Sequence, residues 1–329
     1  MSKWLEEEKE HQAEFKANSG YFSEAAQRVG VYKNKQRPFC VPRECAEENL
    51  FSAIRLPIID YFEKYEIKWH DGQDRRPSNH MCDSQICCAN FLFRFADKPA
   101  TLAALLKPVY PNLAHMLPIE DGQFVAHEWI GQQNYLGEKI SRNGKRTRGA
   151  NFTSADAAVM FQRTDGKRHI VLIEWKYTES YSRTWLRYAK PSGTDRLAIY
   201  APLLDRADCP IKRESLPAWD ALFYEPFYQF MRQQLLAHEM ERAHELNADV
   251  VSVLHIAPAH NRDFRRVTSP ALRGLGDSAT QVWKHLLRVP ERFISVNTED
   301  LFSGFNHTAF PELREWWPYL SLRYRWLSA

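Results

Sequence analysis

Two charged residues interrupt the end of an otherwise apolar run, Ile170-Val171-Leu172-Ile173-Glu174-Trp175-Lys176-Tyr177. A third, Asp156, interrupts the run before it, Thr153-Ser154-Ala155-Asp156-Ala157-Ala158-Val159-Met160. Charges at positions that read as buried are costly unless paired with each other or with a metal ion. On a strand, residues two apart face the same side, so Glu174 and Lys176 project together and can share one small site. Whether Asp156 joins them depends on the turn Thr164-Asp165-Gly166. A two-residue turn at Asp165-Gly166 sets Asp156 opposite Trp175, which faces away from Glu174. A three-residue loop pairs Arg163 with Lys167 and sets Asp156 directly across from Glu174. That form favours glycine at its left-handed last position, where Gly166 stands, and it is the expected one, although a bulge elsewhere gives the same alignment. Two carboxylates facing each other across adjacent strands, with a lysine beside them, suit a hard divalent cation such as Mg²⁺. Such a cation lowers the pKa of a water and stabilises charge on phosphate oxygens, and the lysine orients the nucleophile or steadies the developing charge. Phosphodiester hydrolysis is the natural reaction for such a centre.

The elements that must position these residues are legible as patterns. Asp83 to Phe95 reads as a helix from the spacing of Ile86, Cys87, Asn90, Phe91 and Phe93. Phe124 to Ile130, Thr153 to Gln162 and His169 to Tyr177 read as strands, the last two forming a hairpin. Trp219 to Leu246 contains a long helical pattern, and Asp249 to Ala257 is a buried strand. The stretch before about His80 reads as helices and loops, with Glu47 to Tyr65 amphipathic around Pro57, and the C-terminal part holds a helix (Ser278 to Leu287), a short strand near Phe293 to Val296 and a Trp-rich end that reads as core packing. The order helix, three strands, helix, strand predicts an α/β fold: a mixed sheet covered by helices on both faces.

Asp156, then Glu174-Trp175-Lys176 at the end of the next apolar strand, resembles the PD-(D/E)xK signature, and the element order is similar to that nuclease superfamily's core over roughly Asn79 to Pro258. The runs Arg148 to Asp156 and Ile173 to Glu179 resemble a restriction-endonuclease-like bacterial family. The resemblance implies a restriction-endonuclease-like core (α-β-β-β-α-β) at residues 79–258, with an insertion at 179–217, an N-terminal helical extension at 1–78 and a C-terminal α/β extension at 259–329. It implies that Asp156 and Glu174 ligate Mg²⁺, for which Mn²⁺ substitutes, that the Trp175 carbonyl assists, and that Lys176 is catalytic. Ala155 stands where the pattern carries proline, a position that often varies.

Further residues have two readings each. Glu128 is a third acidic group or an exposed strand carboxylate. Gln85 occupies the place where related enzymes set a polar or acidic residue facing the metal, or is a helix-surface residue. Glu179 is an outer partner of the site or simply solvated. Lys139, Arg142, Lys145, Arg146 and Arg148 share a connection with no acid; they grip a phosphate backbone or form a solvated loop. Arg262, Arg265 and Arg266 form a second basic cluster. The insertion interleaves Tyr181, Trp185 and Tyr188 with Arg183, Arg187 and Lys190, which suits base stacking and phosphate neutralisation or a core with its rim. Tyr228, Arg232, Gln233 and Gln234 offer polar groups on the second core helix, but the sequence gives no ground for placing Gln233 in the site or on DNA.

Composition limits the alternatives. The net charge of +3, from 44 basic and 41 acidic residues, does not by itself announce a nucleic-acid binder, since a nuclease also carries acidic ligands. No segment resembles a signal peptide or membrane span, so a cytoplasmic protein without a membrane partner is expected. The six cysteines contain no Cys-x-x-Cys pair, and His80, Cys82 and Cys87 lack a second ligand pair at zinc spacing, so reduced thiols are expected. The reading is a Mg²⁺-dependent DNA endonuclease, of restriction or defence type, with nucleic acid as partner; a homodimer would suit cutting two strands, though no segment specifies one. The alternatives are a catalytically silent nucleic-acid-binding protein of the same fold and an unrelated interaction protein whose charged residues lie apart.

Overall fold

The computed structural model describes residues 2–71, 75–139, 144–150 and 152–328. In chain order it has α1 (Lys3–Asn18), α2 (Glu24–Gln27), a small hairpin of β1 (Gly30–Tyr32) and β2 (Lys35–Arg37), then α3 (Arg55–Lys64), α4 (Ser84–Leu92) and α5 (Pro99–Leu106). The strands β3 (Leu113–Leu117), β4 (Ala126–Trp129), β5 (Ala155–Arg163) and β6 (Arg168–Trp175) follow. After them come α6 (Arg196–Leu204), α7 (Phe227–Arg242), β7 (Val250–Ala257), α8 (Ala279–Leu286), β8 (Phe293–Asn297), α9 (Thr298–Ser303) and α10 (Trp316–Arg323). The fold is the restriction-endonuclease-like α/β type: a six-stranded mixed sheet ordered β3-β5-β6-β7-β8, with β4 also paired to β5.

The turn at Gly166 sets the register of the sheet's centre. The Arg163 N–H donates to Lys167 O at 2.8 Å, the Gly166 N–H donates to Arg163 O at 3.0 Å, and Gly166 has φ +83°. This is the three-residue loop, and the antiparallel pairing runs from Gln162↔Arg168 to Ala157↔Ile173. Continued by one step, this register brings Asp156 across from Glu174, and the Asp156 carboxylate accepts the Trp175 N–H there. Strands β6, β7 and β8 run parallel, which requires a covered crossover, and α7 and α8 supply it. Every residue of β7 is buried, as expected where helices cover both faces.

Period-two alternation splits the interior in two. Ala157, Val159, Phe161, Val171, Ile173 and Trp175 enter one core with residues of α1, α3, α4, α5 and α10. Ala158, Met160, Ile170 and Leu172 face α6, α7 and α8 in the other. Asp156 and Glu174 share the parity of the second set, so they emerge beneath α7. The polarity of this end of an apolar layer is what the functional site is made from.

Some expected elements differ in extent. The helical pattern from Trp219 to Leu246 is broken into a 3-10 turn at Trp219–Leu222 and α7, because Pro226 offers no N–H to continue the first turn and Leu246 has φ +51°. The stretch Glu47 to Tyr65 is likewise short 3-10 turns followed by α3. β3 was not expected from the sequence, and β8, near the short strand expected at Phe293 to Val296, joins the main sheet as a parallel edge strand. Among the described residues no helix is long and apolar enough to cross a membrane.

Candidate active site

Three acidic side chains line up across neighbouring strands at one end of the sheet. β4 pairs with β5 through His127↔Ala157 and Trp129↔Ala155, which puts Glu128 opposite Asp156, as Asp156 is opposite Glu174. Glu128 has φ +49°, a conformation costing about 1 kcal/mol or more in a non-glycine residue, held here by the pairs on either side. The Trp175 N–H donates to Asp156 Oδ2 at 2.7 Å. Because the N–H and C=O of one extended residue point the same way, the Trp175 carbonyl is directed to the Asp156 side as well.

Glu174 is the most firmly held of the three. It is 2 % exposed, and Lys176 Nζ lies 2.5 Å from its Oε1. Gln229 Nε2 donates to the same oxygen at 2.7 Å, and Gln233 Nε2 donates to Oε2 at 2.8 Å and to the Ser154 carbonyl at 2.5 Å. Gln229 and Gln233 are four apart on α7, so one helix face places both amides over the strand end. Lys176 also has Glu179 Oε1 at 4.0 Å, while the other oxygen of Glu179 accepts the Tyr177 N–H at 2.7 Å. Glu179 is thereby a partner of the site and not a solvated residue.

Glu128 is buried and engaged on both oxygens. Gln85 Nε2 donates to Oε1 at 2.7 Å and Ser154 Oγ donates to Oε2 at 2.7 Å. Gln85 is placed there by the start of α4, which Asp83 caps by accepting the Ile86 N–H at 3.0 Å. His70 leans on the same cap: its Nδ1 is 3.1 Å from Asp83 Oδ2 and its backbone N–H donates to Gln85 Oε1 at 2.7 Å. The hydrogen bond to Asp83 pushes the imidazole of His70, an exposed residue, up to about 9. Thus Gln85 and Glu128, each with two readings in the sequence, face one another inside the site.

The electrostatics are lopsided. Burial, then the charge of Glu174, raises the Asp156 carboxyl well above the usual range, with Glu128 adding to the effect. Burial likewise raises Glu128, with Glu174 contributing. Burial lowers Lys176, but Glu174, followed by Tyr181, Glu179 and Asp156, outweighs it and keeps the ammonium charged well above its ordinary range. Several carboxylate oxygens thus share one ammonium, and among the described residues no cation lies within ion-pairing distance of Asp156. Asp156, Glu174 and the Trp175 carbonyl are the groups that could hold a divalent cation with oxygen preference. Among the described residues no group of three or more His, Cys, Asp or Glu side chains is gathered closely enough to hold a metal, so a backbone oxygen would have to complete such a set.

Two arginines of the basic connection are engaged within the protein. Arg148 is 8 % exposed, ion-paired to Glu120 at 2.7 Å, bonded to the Glu128 carbonyl and the Tyr61 hydroxyl, and stacked on Trp129 and Tyr65. It braces the Glu128 kink and is unavailable to a phosphate, because its donors are spent on Glu120 and on this backbone. Arg146 donates to the carbonyls of Ile130 and Gly131, and Lys145 is paired with Glu66. Lys139 is exposed, and Arg142 lies outside the described residues. All six cysteines are free and buried.

Sequence reasoning did not single out Gln229 or His70. Gln229 carries a signal in hindsight, four residues before Gln233 on a helix, whereas His70 lies in a loop with no periodicity. No curated protein and no solved structure matches the chain. A family model described as restriction endonuclease associating with ARP matches residues 9–325, which takes in the acidic row, the lysine and the helices that hold them. That span covers nearly the whole chain, which therefore belongs to the family of restriction endonucleases associating with ARP.

Proposed function

We propose that the chain hydrolyses phosphodiester bonds of DNA with Mg²⁺, or Mn²⁺ in its place, at Asp156, Glu174 and Lys176. The observation that carries this reading is the in-register placement of Asp156 and Glu174 beneath α7, with the Lys176 ammonium 2.5 Å from Glu174. Membership of a restriction-endonuclease family supports a nuclease in general. The bound cation would supply charge stabilisation on the phosphate oxygens and a more acidic water.

The protein's own residues divide the remaining work. Lys176 stays protonated, so it serves as a hydrogen-bond donor to the nucleophile or to the phosphate, not as a base. Gln229 and Gln233 occupy both Glu174 oxygens on the α7 side and fix the plane of the carboxylate. Ser154 and Gln85 hold Glu128 where its charge reinforces the field at Asp156. Each of these groups is oriented before substrate arrives, the condition under which fixed dipoles are most effective in catalysis.

The test is incubation of purified protein with supercoiled plasmid, linear duplex, single-stranded DNA and RNA, with Mg²⁺, with Mn²⁺ and with EDTA. Metal-dependent cutting of DNA supports the proposal. Salt-sensitive DNA binding with no cutting of any substrate would select a binding protein of the same fold instead.

A further inference from the structure

The 179–217 segment holds two large aromatic side chains in solvent, Trp185 at 46 % and Tyr188 at 46 % exposure, in a T-shaped pair with ring centroids 5.5 Å apart. The backbone beneath them is firmly built. Arg187 bridges Asp195 at 2.9 Å and Asp220 at 3.0 Å. The Leu186 N–H donates to Phe223 O at 2.8 Å, and the Ala189 N–H to Thr194 O at 2.9 Å. A loop this well tied could have turned its aromatic rings inward, yet it presents them outward.

Two arginines link the backbone of this segment to α7, the helix that carries Gln229 and Gln233. Arg196 donates to the Leu186 carbonyl at 2.7 Å and lies 5.4 Å over the Tyr228 ring; Arg232 lies 4.7 Å over the same ring. Tyr228 is the neighbour of Gln229 on α7, and Arg232 is the neighbour of Gln233. Neither arginine has a carboxylate within ion-pairing distance among the described residues. Arg232 donates to the Thr153 hydroxyl at 3.3 Å, and its Nε is buried without a partner. Arg183 and Lys190, beside the exposed rings, are exposed and also have no ion pair among the described residues. Three cations of this segment and one of α7, none with an ion pair among the described residues, thus accompany the two exposed aromatic side chains.

We propose that Trp185, Tyr188, Arg183, Lys190, Arg196 and Arg232 form a track for an unpaired DNA strand leaving the active site, so that the substrate contains a single-stranded stretch. This rests on the nuclease reading above for its direction but not for its test. Paired bases hide their faces in the stack, whereas an unpaired strand offers them to aromatic side chains while its phosphates meet the cations. A protein partner would have little use for four unpaired cations beside an acidic hydrolytic row; DNA matches both the charge and the rings.

Fluorescence anisotropy of a labelled oligothymidylate and of a duplex of equal length, both in EDTA so that no turnover occurs, tests the track. The oligothymidylate is expected to bind more tightly than the duplex. The double variant Trp185→Ala/Tyr188→Ala should weaken oligothymidylate binding about tenfold or more and duplex binding by less than about twofold. Trp185→Phe/Tyr188→Phe, which keeps stacking faces, should recover most of the loss. Tighter duplex binding, an unchanged oligothymidylate affinity in the alanine variant, or an equal loss on both probes would overturn the proposal. Failure of wild-type protein to cut DNA in the presence of metal would instead fail the nuclease reading, because binding is read without cleavage.

Discussion

Replacing Asp156 with asparagine should make the metal-free protein more stable, although it removes a residue at the heart of the candidate site. Directly opposite cross-strand residues have Cβ atoms about 5 Å apart. Two carboxylates at that separation repel by about 3 kcal/mol at an effective dielectric of 20, and by less than about 1 kcal/mol in water. Attraction to Lys176 offsets part of this, leaving a net relief of about 1 kcal/mol, or roughly 1–2 °C in Tm for a chain of this size. Asparagine keeps an oxygen for the Trp175 N–H and gains an amide that can donate to Glu174. The pH dependence has a definite sign: the folded-state pKa of Asp156 is raised, so its contribution to stability is intact below the ordinary carboxylate range and is lost as pH climbs through the raised value. The advantage of Asp156→Asn therefore grows as pH rises from the ordinary carboxylate range through the raised value, a span that an acidic and an alkaline buffer bracket. A bound cation reverses the order, since wild type gains about 2.7 kcal/mol at a hundredfold excess over Kd and the variant does not. Thermal unfolding in EDTA and in Mg²⁺ at both pH values reads all of this. An Asp156→Asn protein less stable than wild type in EDTA at the higher pH, or equal Mg²⁺ shifts in the two proteins, would refute the electrostatic reasoning.

Other substitutions probe the surroundings. Gln233→Leu leaves a Glu174 oxygen and the Ser154 carbonyl without their donor, which should cost about 1–3 kcal/mol in denaturant unfolding and lower cleavage about 10–100-fold in a kinetic assay. Glu8, buried between the Tyr177 hydroxyl and the Trp326 indole, has its carboxyl raised to about 7 by burial, so wild-type stability should fall as pH rises through that value; Glu8→Gln should match wild type near pH 4 and exceed it by up to roughly 3 kcal/mol in alkaline buffer, read as Tm against pH. Arg148→Met strands Glu120 and the Glu128 carbonyl and should cost about 3–5 kcal/mol in urea unfolding, while leaving the salt dependence of DNA binding unchanged, since this guanidinium meets no phosphate.

How much of this was legible in the sequence depended on how local each determinant is. The hairpin and its register follow from Gly166 and from alternation over two apolar strands, so the facing of Asp156 and Glu174 could be worked out residue by residue. The helix at Ser84–Leu92 announces itself through its cap and its apolar spacing. β3 does not, because Ala114 and His115 break any alternation and its partner is far away in sequence. Glu128 could be named as an acidic candidate, but nothing local shows the positive φ that turns it, nor the contacts Arg148 makes around it. Arg148 misled for a related reason: in a run of basic residues it looks solvated, and only the distant Tyr61 and Glu120 reveal its burial. The Gln229 and Gln233 clamp lies in between, regular in its helical spacing but meaningless until α7 is placed over β6.

The most direct measurement compares wild type with Lys176→Met in single-turnover cleavage of whichever DNA form the substrate panel identifies, with Mn²⁺ affinity measured by calorimetry on the same preparations. Methionine keeps the length of the stem but removes the donor, and losing a positive charge beside Asp156 and Glu174 should leave cation affinity equal or stronger. The account predicts retained Mn²⁺ binding with a rate at least about a hundredfold lower, the loss expected when a donor to the transition state is removed. A folded Lys176→Met protein that cuts DNA at close to the wild-type rate would contradict the assignment of this row as the reaction centre.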